Sequence, residues 1–578
     1  MRRSFWLGGV AGIALLSTCV LLGQSPTPPP PPTTTATSSS QNAGAVLRVH
    51  VNLVLVPVVV RDSGGHAVGS LRAEDFTLLD NNKPQQIVSF SVEQPGAQPT
   101  ARGASTNATG SAAPTGGQGH VFVAPRSFTA VYFDDVHLET ENMNRVRGAA
   151  QRYLTKVDLA TERLGIFTTS GKIALDFTDD RNKLNETLAR LKSEHLPGTG
   201  MGDCPTVTYQ QANAIINQGD SAASALAMSD AITQCHVRDQ NAAAEMAQEA
   251  AQRALEAGDR ESRVSFGALQ QAVAHLATTP GERNLLLASS GFMTTEGNAA
   301  QIRIIDVAVR SHITISALDA RGLYGADLIG DATERGSNPA LAQQKVKQKA
   351  EYDVAVEGVM ASLSAETGGA FYRSSNDLDA GFQRIGGAPE FVYLLGFSPA
   401  SAKPDGKLHA LKVAVNSKEK YNVSARRNYL SAPQNPGSED AANREVQQAL
   451  YTSVESRELP MEVRIQTVKG DGEKARLTVA AHIDLNQMPA GTADNEKHNQ
   501  LLFATVIFDR NGKYIDGNSR TIAVRWKDDD TVDPAERSAA KAYESNFMLG
   551  PGDYVVRFVA RDSEVQQLFA ETTPVVIQ

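Results

Sequence analysis

The sequence has few cysteines, no excess of positive charge and almost no long hydrophobic run, and each scarcity excludes a class of protein. Only 3 of the 578 residues are cysteine, which excludes a disulfide-dense scaffold and a cysteine-rich zinc or iron–sulfur site. The formal net charge is −9, so the chain lacks the basic footprint of a general nucleic-acid-binding protein. Hydrophobic residues make up 41% and charged residues 21%, as in an ordinary globular protein.

The one long hydrophobic run lies at the N-terminus. Residues 1–24 contain two arginines, an apolar stretch from Phe5 to Leu22 and a small residue at Gly23, which is the pattern of a secretory signal peptide. The stretch is also just long enough to remain in the membrane as an uncleaved anchor. Both interpretations predict an exported protein, located in the periplasm, on the cell surface or in the medium.

Three segments with few apolar residues divide the rest of the chain. Proline, threonine and serine dominate residues 25–45, glycine and small residues dominate 95–120, and a shorter segment of this kind covers 431–445. Such compositions favour extended or flexible linkers because they cannot form a core. The linkers leave three folded blocks, namely a small β-module over 46–94, a central block over 121–430 and a β-sandwich over 446–578.

The two flanking blocks are predicted from short strands separated by turns. Residues 46–94 contain Val/Leu-rich stretches joined by Gly- and Asn-containing turns, which predicts a module so small that it should pack on a neighbour. Residues 446–578 contain regularly spaced strands with Asp/Gly/Asn turns, and this pattern favours an immunoglobulin-like β-sandwich.

The central block alternates strands and helices. Apolar strands over 127–133, 163–170, 284–289 and 312–319 are separated by helix-patterned stretches. This order predicts an α/β domain with a parallel sheet covered on both faces, and we expect the last strands to run antiparallel at one edge. A segment over about 197–260, rich in Ala, Gln and Glu, predicts two or three inserted helices. Partner contact and a purely decorative role remain open for this insertion.

The insertion contains two cysteines, Cys204 and Cys235. In an exported chain such a pair favours a disulfide, which would close a loop of about 30 residues and add about 3–4 kcal/mol in the chain-entropy account. Two buried free thiols are the alternative.

Polar residues follow the central strands at the points where the strands end. Ligands of open α/β sheets bind beyond the carboxyl ends of the strands, so we expect these residues to meet at one edge. Oxygen-rich sets of this kind suit Mg²⁺ or Ca²⁺. The residues are Asp134, Asp135 and His137 after the first strand, Thr168 and Thr169 after the second, Ser290 after the third and Asp319 after the fourth.

A set of stretches in this order resembles a known family. The stretches include AVYFDDVHLE, ERNLLLASSGF, TISALDARGLYG, TGGAFYRSSNDL and FVYLLGFSPASAKPDGKLHALKVAV. The central block resembles a von Willebrand factor type A domain, and the chain resembles the acidobacterial VWFA-related secreted proteins over roughly 46–430, the insertion excepted. The resemblance implies a Rossmann-like fold and a metal-ion-dependent adhesion site, where a divalent cation accepts a carboxylate from a protein partner.

Matching that adhesion site residue by residue leaves gaps. Asp134 corresponds to the family's first aspartate and Ser265 to its threonine, but Ser290 stands where the last aspartate belongs. Val136 and Leu138 stand where two serines belong, and neither side chain can bind a cation.

Two interpretations of the site therefore stay open. Asp135 and His137 could substitute for the missing ligands and give an altered Mg²⁺ or Ca²⁺ site, although imidazole suits a transition metal better. Alternatively the site is degenerate, and Asp134 and Asp135 accept hydrogen bonds from loop amides.

The sequence favours a binding protein over an enzyme. It contains no Walker A sequence, no HExxH motif and no GxSxG nucleophile elbow. We expect an exported, non-catalytic adhesion-type module that contacts another protein or a cell-surface ligand. The alternative is a metal-dependent hydrolase whose active site combines Asp134, Asp135, His137 and Asp319.

Overall fold

A computed structural model describes the chain from residue 54 to its last residue, with gaps. The predicted signal peptide over 1–24 and the linkers over 25–45 and 95–120 lie outside the described residues. In the described part, no helix is both long and apolar enough to span a bilayer. The described residues are 54–62, 67–93, 122–194, 204–293, 299–323, 339–386, 391–398, 408–417, 419–431, 439–452, 455–469, 474–488, 491–493, 496–526 and 540–578.

The first described segment forms four strands, β1 (Val54–Arg61), β2 (Phe76–Asp80), β3 (Lys83–Gln85) and β4 (Ile87–Glu93). Asn81 and Asn82 join β2 to β3 with φ angles of 46° and 63°. Asparagine tolerates this left-handed conformation better than most residues, which explains its use in a tight hairpin.

The central block contains a mixed set of strands and helices. Six strands form one sheet in the order β10-β9-β8-β5-β6-β7, and only β7 runs antiparallel to its neighbour. In chain order the elements are β5 (Ser127–Phe133), α1 (Thr140–Lys156), β6 (Glu162–Thr168), β7 (Leu175–Thr178), α2 (Arg181–Ala189), α3 (Tyr209–Ile216), α4 (Ser221–Thr233), α5 (Gln240–Leu276), β8 (Glu282–Ser289), α6 (Ala299–Arg310), β9 (Ile313–Asp319), α7 (Pro339–Thr367), β10 (Phe371–Tyr372) and α8 (Leu378–Gly386).

Helices cover both faces of this sheet. Helices α1, α2 and α8 pack on one face and α5, α6 and α7 on the other, each through a continuous apolar cluster. Strand β5 is buried from Phe128 to Phe133, as its nearly continuous apolar sequence, interrupted only by Thr129, predicts for a strand covered on both sides. The predicted α/β domain with a largely parallel sheet is confirmed.

The insertion consists of α3, α4 and the N-terminal half of α5. Its small core is built mainly from alanines of these helices, and Cys204 and Cys235 form the predicted disulfide. Helix α5 continues for 37 residues, about 55 Å, and ends shortly before the amino end of β8. Its N-terminal half therefore extends past the carboxyl edge of the sheet.

The last strands of the predicted central block do not join the parallel sheet. They are β11 (Val392–Phe397), β12 (Leu408–Val415), β13 (Asn422–Ala425) and β14 (Asn428–Leu430). Together with the first four strands they form two sheets, β13-β1-β11-β4 and β14-β12-β2-β3. The expectation of antiparallel strands at the edge of the central sheet is therefore wrong, and strand pairing crosses the boundaries predicted at 94 and 121.

Apolar side chains explain this pairing. Val56 and Val58 on β1 and Phe76 on β2 are buried, and they share one core with Tyr393 and Phe397 of β11. Neither β1–β4 nor β11–β14 has enough strands to bury its own apolar face, so the two groups cover each other.

The C-terminal block has one helix and nine strands among its described residues. The larger sheet has the order β15-β23-β22-β19-β18 with β20 paired to β19, the smaller has the order β16-β17-β21, and both contribute to one core. The elements are α9 (Glu439–Leu450), β15 (Ser456–Arg457), β16 (Met461–Lys469), β17 (Ala475–Ile483), β18 (Gly491–Ala493), β19 (Glu496–Asp509), β20 (Tyr514–Trp526), β21 (Ala540–Leu549), β22 (Gly552–Asp562) and β23 (Leu568–Ile577).

Helix α9 begins inside the range predicted as the linker over 431–445. Val446, Ala449 and Leu450 pack on the outer face of the larger sheet, so the helix completes that block. The helical spacing of these apolar residues indicates a helix, whereas the Pro/Gly/Ser composition just before them led to the prediction of a linker.

The turn between β19 and β20 contacts the amino edge of the central sheet. Arg163 on β6 donates from Nε to the carbonyl oxygen of Arg510 over 2.9 Å. Gly512 has a φ of +81°, and a Cβ on it would lie 2.3 Å from the ring of Phe128. Glycine is required here because both the backbone conformation and the close approach exclude a side chain.

Candidate functional site

Asp134 lies at the centre of the carboxyl edge, directly after β5. Its side chain is fully buried, and the Nδ1 atom of His137 lies 3.0 Å from both carboxylate oxygens. The Thr169 hydroxyl donates to Oδ1 over 3.0 Å and the Ser289 hydroxyl donates to Oδ2 over 2.6 Å. Three neighbouring strand ends therefore supply one carboxylate and its partners.

His137 and Asp134 form an ion pair. Burial acts to lower the pKa of His137, but the charge and hydrogen bond of Asp134, with Glu261 at 3.9 Å, raise the pKa above its ordinary value. Burial acts to raise the pKa of Asp134, but His137 and the two hydroxyls hold it below its ordinary value. The His137 ring also stacks on Phe292, with centroids 5.8 Å apart, which fixes its orientation.

Asp135 points to a different partner. Its carboxylate accepts from the Ser170 amide over 2.8 Å and from the Ser170 hydroxyl over 2.5 Å. Burial raises the pKa of Asp135 despite these hydrogen bonds. Asp135 thus connects the loop after β5 to the loop after β6. Its carboxylate and that of Asp134 have different hydrogen-bond partners.

The remaining predicted residues around Asp134 are placed as follows. The Ser290 hydroxyl donates to the carbonyl oxygen of His137 over 2.7 Å, and the Thr168 hydroxyl donates to the carbonyl oxygen of Ile173 over 2.9 Å. Ser265 is buried, and its hydroxyl oxygen has no hydrogen-bond partner among the described residues. Glu261, one helical turn before Ser265, is a neighbour of His137 that the sequence analysis missed.

Asp319 belongs to a separate cluster. Arg321 donates to both of its carboxylate oxygens, from Nε over 3.0 Å and from Nη2 over 2.8 Å. The same guanidinium pairs with Asp353 at 2.9 Å and Glu357 at 3.2 Å, both on α7. These partners were not predicted from the sequence, although the two acidic residues stand four positions apart on one helix. The structure therefore does not combine Asp319 with the Asp134 network.

The residues at this edge do not fit a divalent cation. Metal–oxygen distances of about 2.0–2.6 Å would place the ion where the His137 ring lies, because Nδ1 approaches both oxygens of Asp134 equally. The other approaches to the carboxylate are used by the Thr169 and Ser289 hydroxyls. In the described ranges, no three His, Cys, Asp or Glu side chains are grouped in a way that could hold a metal.

A groove of about 520 Å³ lies beside the Asp134 network, between α5 and the loop after β6. Tyr132 and Thr169 line the groove, and their hydroxyls form a hydrogen bond of 3.1 Å. Thr169 therefore borders both the groove and the Asp134 network. On the α5 side Gly267 leaves open space, with nothing within 4 Å of the position of a Cβ. The volume is in the range of ligand-binding clefts.

A histidine forms part of the groove wall. His275 pairs with Asp176 through Nε2 over 2.8 Å, and this hydrogen bond raises the pKa of His275. Arg263 and Gln271 also line the groove. The wall thus combines cationic, amide, hydroxyl and aromatic groups, a mixture that can hold a polar segment of another molecule.

Comparisons with known proteins gave no family assignment. No family model matches the sequence and no curated protein does either. An aerotolerance-related membrane protein from Bacteroides fragilis overlaps with 45% of this chain and 96% of its own length, at 10% identity and a TM-score of 0.22. BatB from Bacteroides thetaiotaomicron overlaps with 45% of this chain and 97% of its own length, at 11% identity and a TM-score of 0.19.

A bacterial surface protein also overlaps. The pilus adhesin SpaC from Lactobacillus rhamnosus GG covers 79% of this chain and 68% of its own length, at 8% identity and a TM-score of 0.22. These scores assign neither a fold nor a function to the chain.

Proposed function

We propose that the protein is an exported, non-catalytic binding module of the adhesion type, built on a Rossmann-like von Willebrand factor type A domain with a degenerate metal site. The observation that carries the proposal is the Asp134 carboxylate, whose positions are taken by His137, Thr169 and Ser289. In the family, the corresponding aspartate holds a cation that a partner's carboxylate completes. Here an imidazole occupies that place, so binding needs no cation.

The contact surface in this proposal is the groove between α5 and the loop after β6. It adjoins the carboxyl edge, where open α/β sheets bind their ligands, and Thr169 connects it to the Asp134 network. Its polar and aromatic lining suits a segment of another protein or of a cell-surface ligand.

A hydrolase is not proposed. It would need the carboxylates of Asp134, Asp135 and Asp319 to converge on one reacting point. These groups instead bind His137, Ser170 and Arg321, respectively.

Capture of partners from an envelope extract tests the cation part of the proposal. The purified full chain is immobilised and exposed to the extract with EDTA, with Mg²⁺ or with Ca²⁺. We expect the same partner to be retained under the three conditions. Loss of the partner in EDTA and its return with Mg²⁺ or Ca²⁺ would contradict a cation-independent edge.

A matched pair of variants at Gly267 tests the groove. Gly267→Trp should fill the groove, because nothing lies within 4 Å of the Cβ position, and should abolish capture. Gly267→Ala is the control, since a methyl group leaves the groove open and alanine favours helix by about 1 kcal/mol. Undiminished capture by a folded Gly267→Trp variant would exclude the groove as the contact surface.

A further inference from the structure

The amino edge of the central sheet brings together basic side chains that the proposed function does not use. Arg283 is the second residue of β8, and its Cα partner on β9 is Ile313. His312 directly precedes Ile313, so its ring lies near the same end of the sheet. Arg426 follows β13, and its backbone nitrogen lies 3.0 Å from the position of a Cβ on Gly368, just after α7.

Arg283 is buried without a counter-ion in the part of the chain that the structure describes. Its residue is 3% exposed, and its Nη1 donates to the carbonyl oxygen of Ala277 over 3.3 Å. Its Nε has no hydrogen-bond partner there, and no described carboxylate forms an ion pair with it. A buried charge in this state is strongly unfavourable unless something compensates it.

Arg426 adds positive charge near this position, whereas the imidazole of His312 stays neutral at neutral pH because its pKa is lowered. Burial lowers the pKa of Arg283 and that of Arg426 to about 10 each. Burial, followed by the charges of Arg426 and Arg283, lowers the pKa of His312 to about 4. The amide nitrogen of Gln448, on α9, contacts Nε2 of His312, so this basic cluster of Arg283, His312 and Arg426 lies where three parts of the fold meet.

We propose that the basic cluster binds a free tetrahedral oxyanion, phosphate or sulfate, at the junction of the central sheet, the β13–β14 segment and α9. Guanidinium groups are the preferred partners of such ions because their planar donors match the oxygens. The ion compensates the Arg283 charge and joins residues of separate elements. The burial of Arg283 excludes a phosphoryl group carried on a macromolecule, so the ligand in this proposal is a small free ion.

Calorimetric titration of the purified full chain with inorganic phosphate, and separately with sulfate, tests the site at constant ionic strength with chloride as the reference. We expect saturable binding and a rise in Tm that chloride does not produce. Arg283→Met should weaken the binding by about tenfold or more, as expected for the loss of a charge-assisted contact. The control Arg152→Met removes an exposed arginine on α1 and should leave the affinity unchanged.

Two results would overturn the proposal. One is a wild-type protein that shows no saturable binding and no rise in Tm beyond that of chloride. The other is equal affinity in wild type and in a folded Arg283→Met variant. If Arg283→Met does not fold, Arg426→Met replaces it and the same loss of affinity is required. Phosphoserine as titrant distinguishes a free ion from a carried phosphoryl group, and it should bind more weakly than phosphate.

Discussion

At the carboxyl edge of the central sheet a buried carboxylate has a complete set of partners, whereas at the amino edge a buried guanidinium has almost none. Asp134 accepts from His137, Thr169 and Ser289, while Arg283 donates one hydrogen bond, to a carbonyl oxygen. The resemblance of the sequence to von Willebrand factor type A domains would place the ligand at the first of these positions. The comparison teaches that a buried charge whose partners all come from the protein has no position left for a ligand. A buried charge without such partners is the better place to look for a bound ion.

Asp134→Ala should give the largest effect. The substitution leaves the partly buried His137 cation without its counter-ion and two buried hydroxyls without their acceptor, so we expect a loss of about 3–5 kcal/mol in the free energy of unfolding. Urea unfolding measures it, and Glu245→Ala, which removes an exposed carboxylate of α5, is the control. A loss below about 1 kcal/mol would show that Asp134 is not the essential counter-ion of His137 and acceptor of the two hydroxyls.

Arg163→Met should come next, with a loss of about 3 kcal/mol. Arg163 is a buried arginine at the same level of the sheet as Arg283, because both are Cα partners of Phe128. Unlike Arg283 it pairs with Asp179 at 3.4 Å and donates to the Arg510 carbonyl oxygen. Urea unfolding again measures the loss, and an unchanged midpoint would contradict the assigned partners.

Arg283→Met should have a smaller effect of opposite sign in buffer without phosphate or sulfate. Replacing an uncompensated buried charge by an apolar side chain of similar length is neutral or stabilising, and we expect a gain of about 1 kcal/mol. The same urea experiment compares it with Arg163→Met. A loss as large as that of Arg163→Met would mean that Arg283 already has a strong partner.

The His137–Asp134 pair should give the smallest effect, a pH dependence of stability. The raised pKa of His137 contributes stability below about pH 6.5, its ordinary value, and this contribution disappears as the pH rises through the raised pKa. The lowered pKa of Asp134 contributes stability above about pH 4 and loses it as the pH falls further. The pair therefore contributes fully between these two values.

His137→Phe isolates the histidine part while keeping a ring against Phe292. Above about pH 6.5 the wild-type stability should fall more steeply than that of the variant, by at most about 1.4 kcal/mol per pH unit, the value for one proton. Urea unfolding across pH 5–9 measures both slopes. Parallel profiles would show that His137 is not protonated in the folded protein.

The sequence could predict the elements of the α/β domain because their patterns are local. The boundaries of β5 agree at both ends with the predicted strand over 127–133, and the predicted Cys204–Cys235 bond is present. The position of Asp134 at the carboxyl edge follows from the apolar run before it. The strands and helices can be predicted because the pattern of apolar residues that indicates them involves only residues close together in the chain.

Strand partners and side-chain directions could not be predicted in the same way. Val56 of β1 pairs with Leu395 of β11, and an apolar pattern shows which face of a strand is buried without showing what covers it. The direction of His137, toward Asp134 and not toward a shared ion, depends on a loop conformation that no periodic pattern encodes. For the same reason the Arg321 cluster, which combines two distant segments, was missed.

The position of β1 has a mechanical consequence. This strand lies between β11 and β13 and is antiparallel to both, so tension that enters from its N-terminal side acts along the strand axis. The hydrogen bonds to both neighbours are then loaded in shear and have to break together, unlike bonds at a frayed end that open one after another. Tension applied at the N-terminal end of β1 would therefore have to break its pairing with β11 and with β13 together before β1 could leave its sheet.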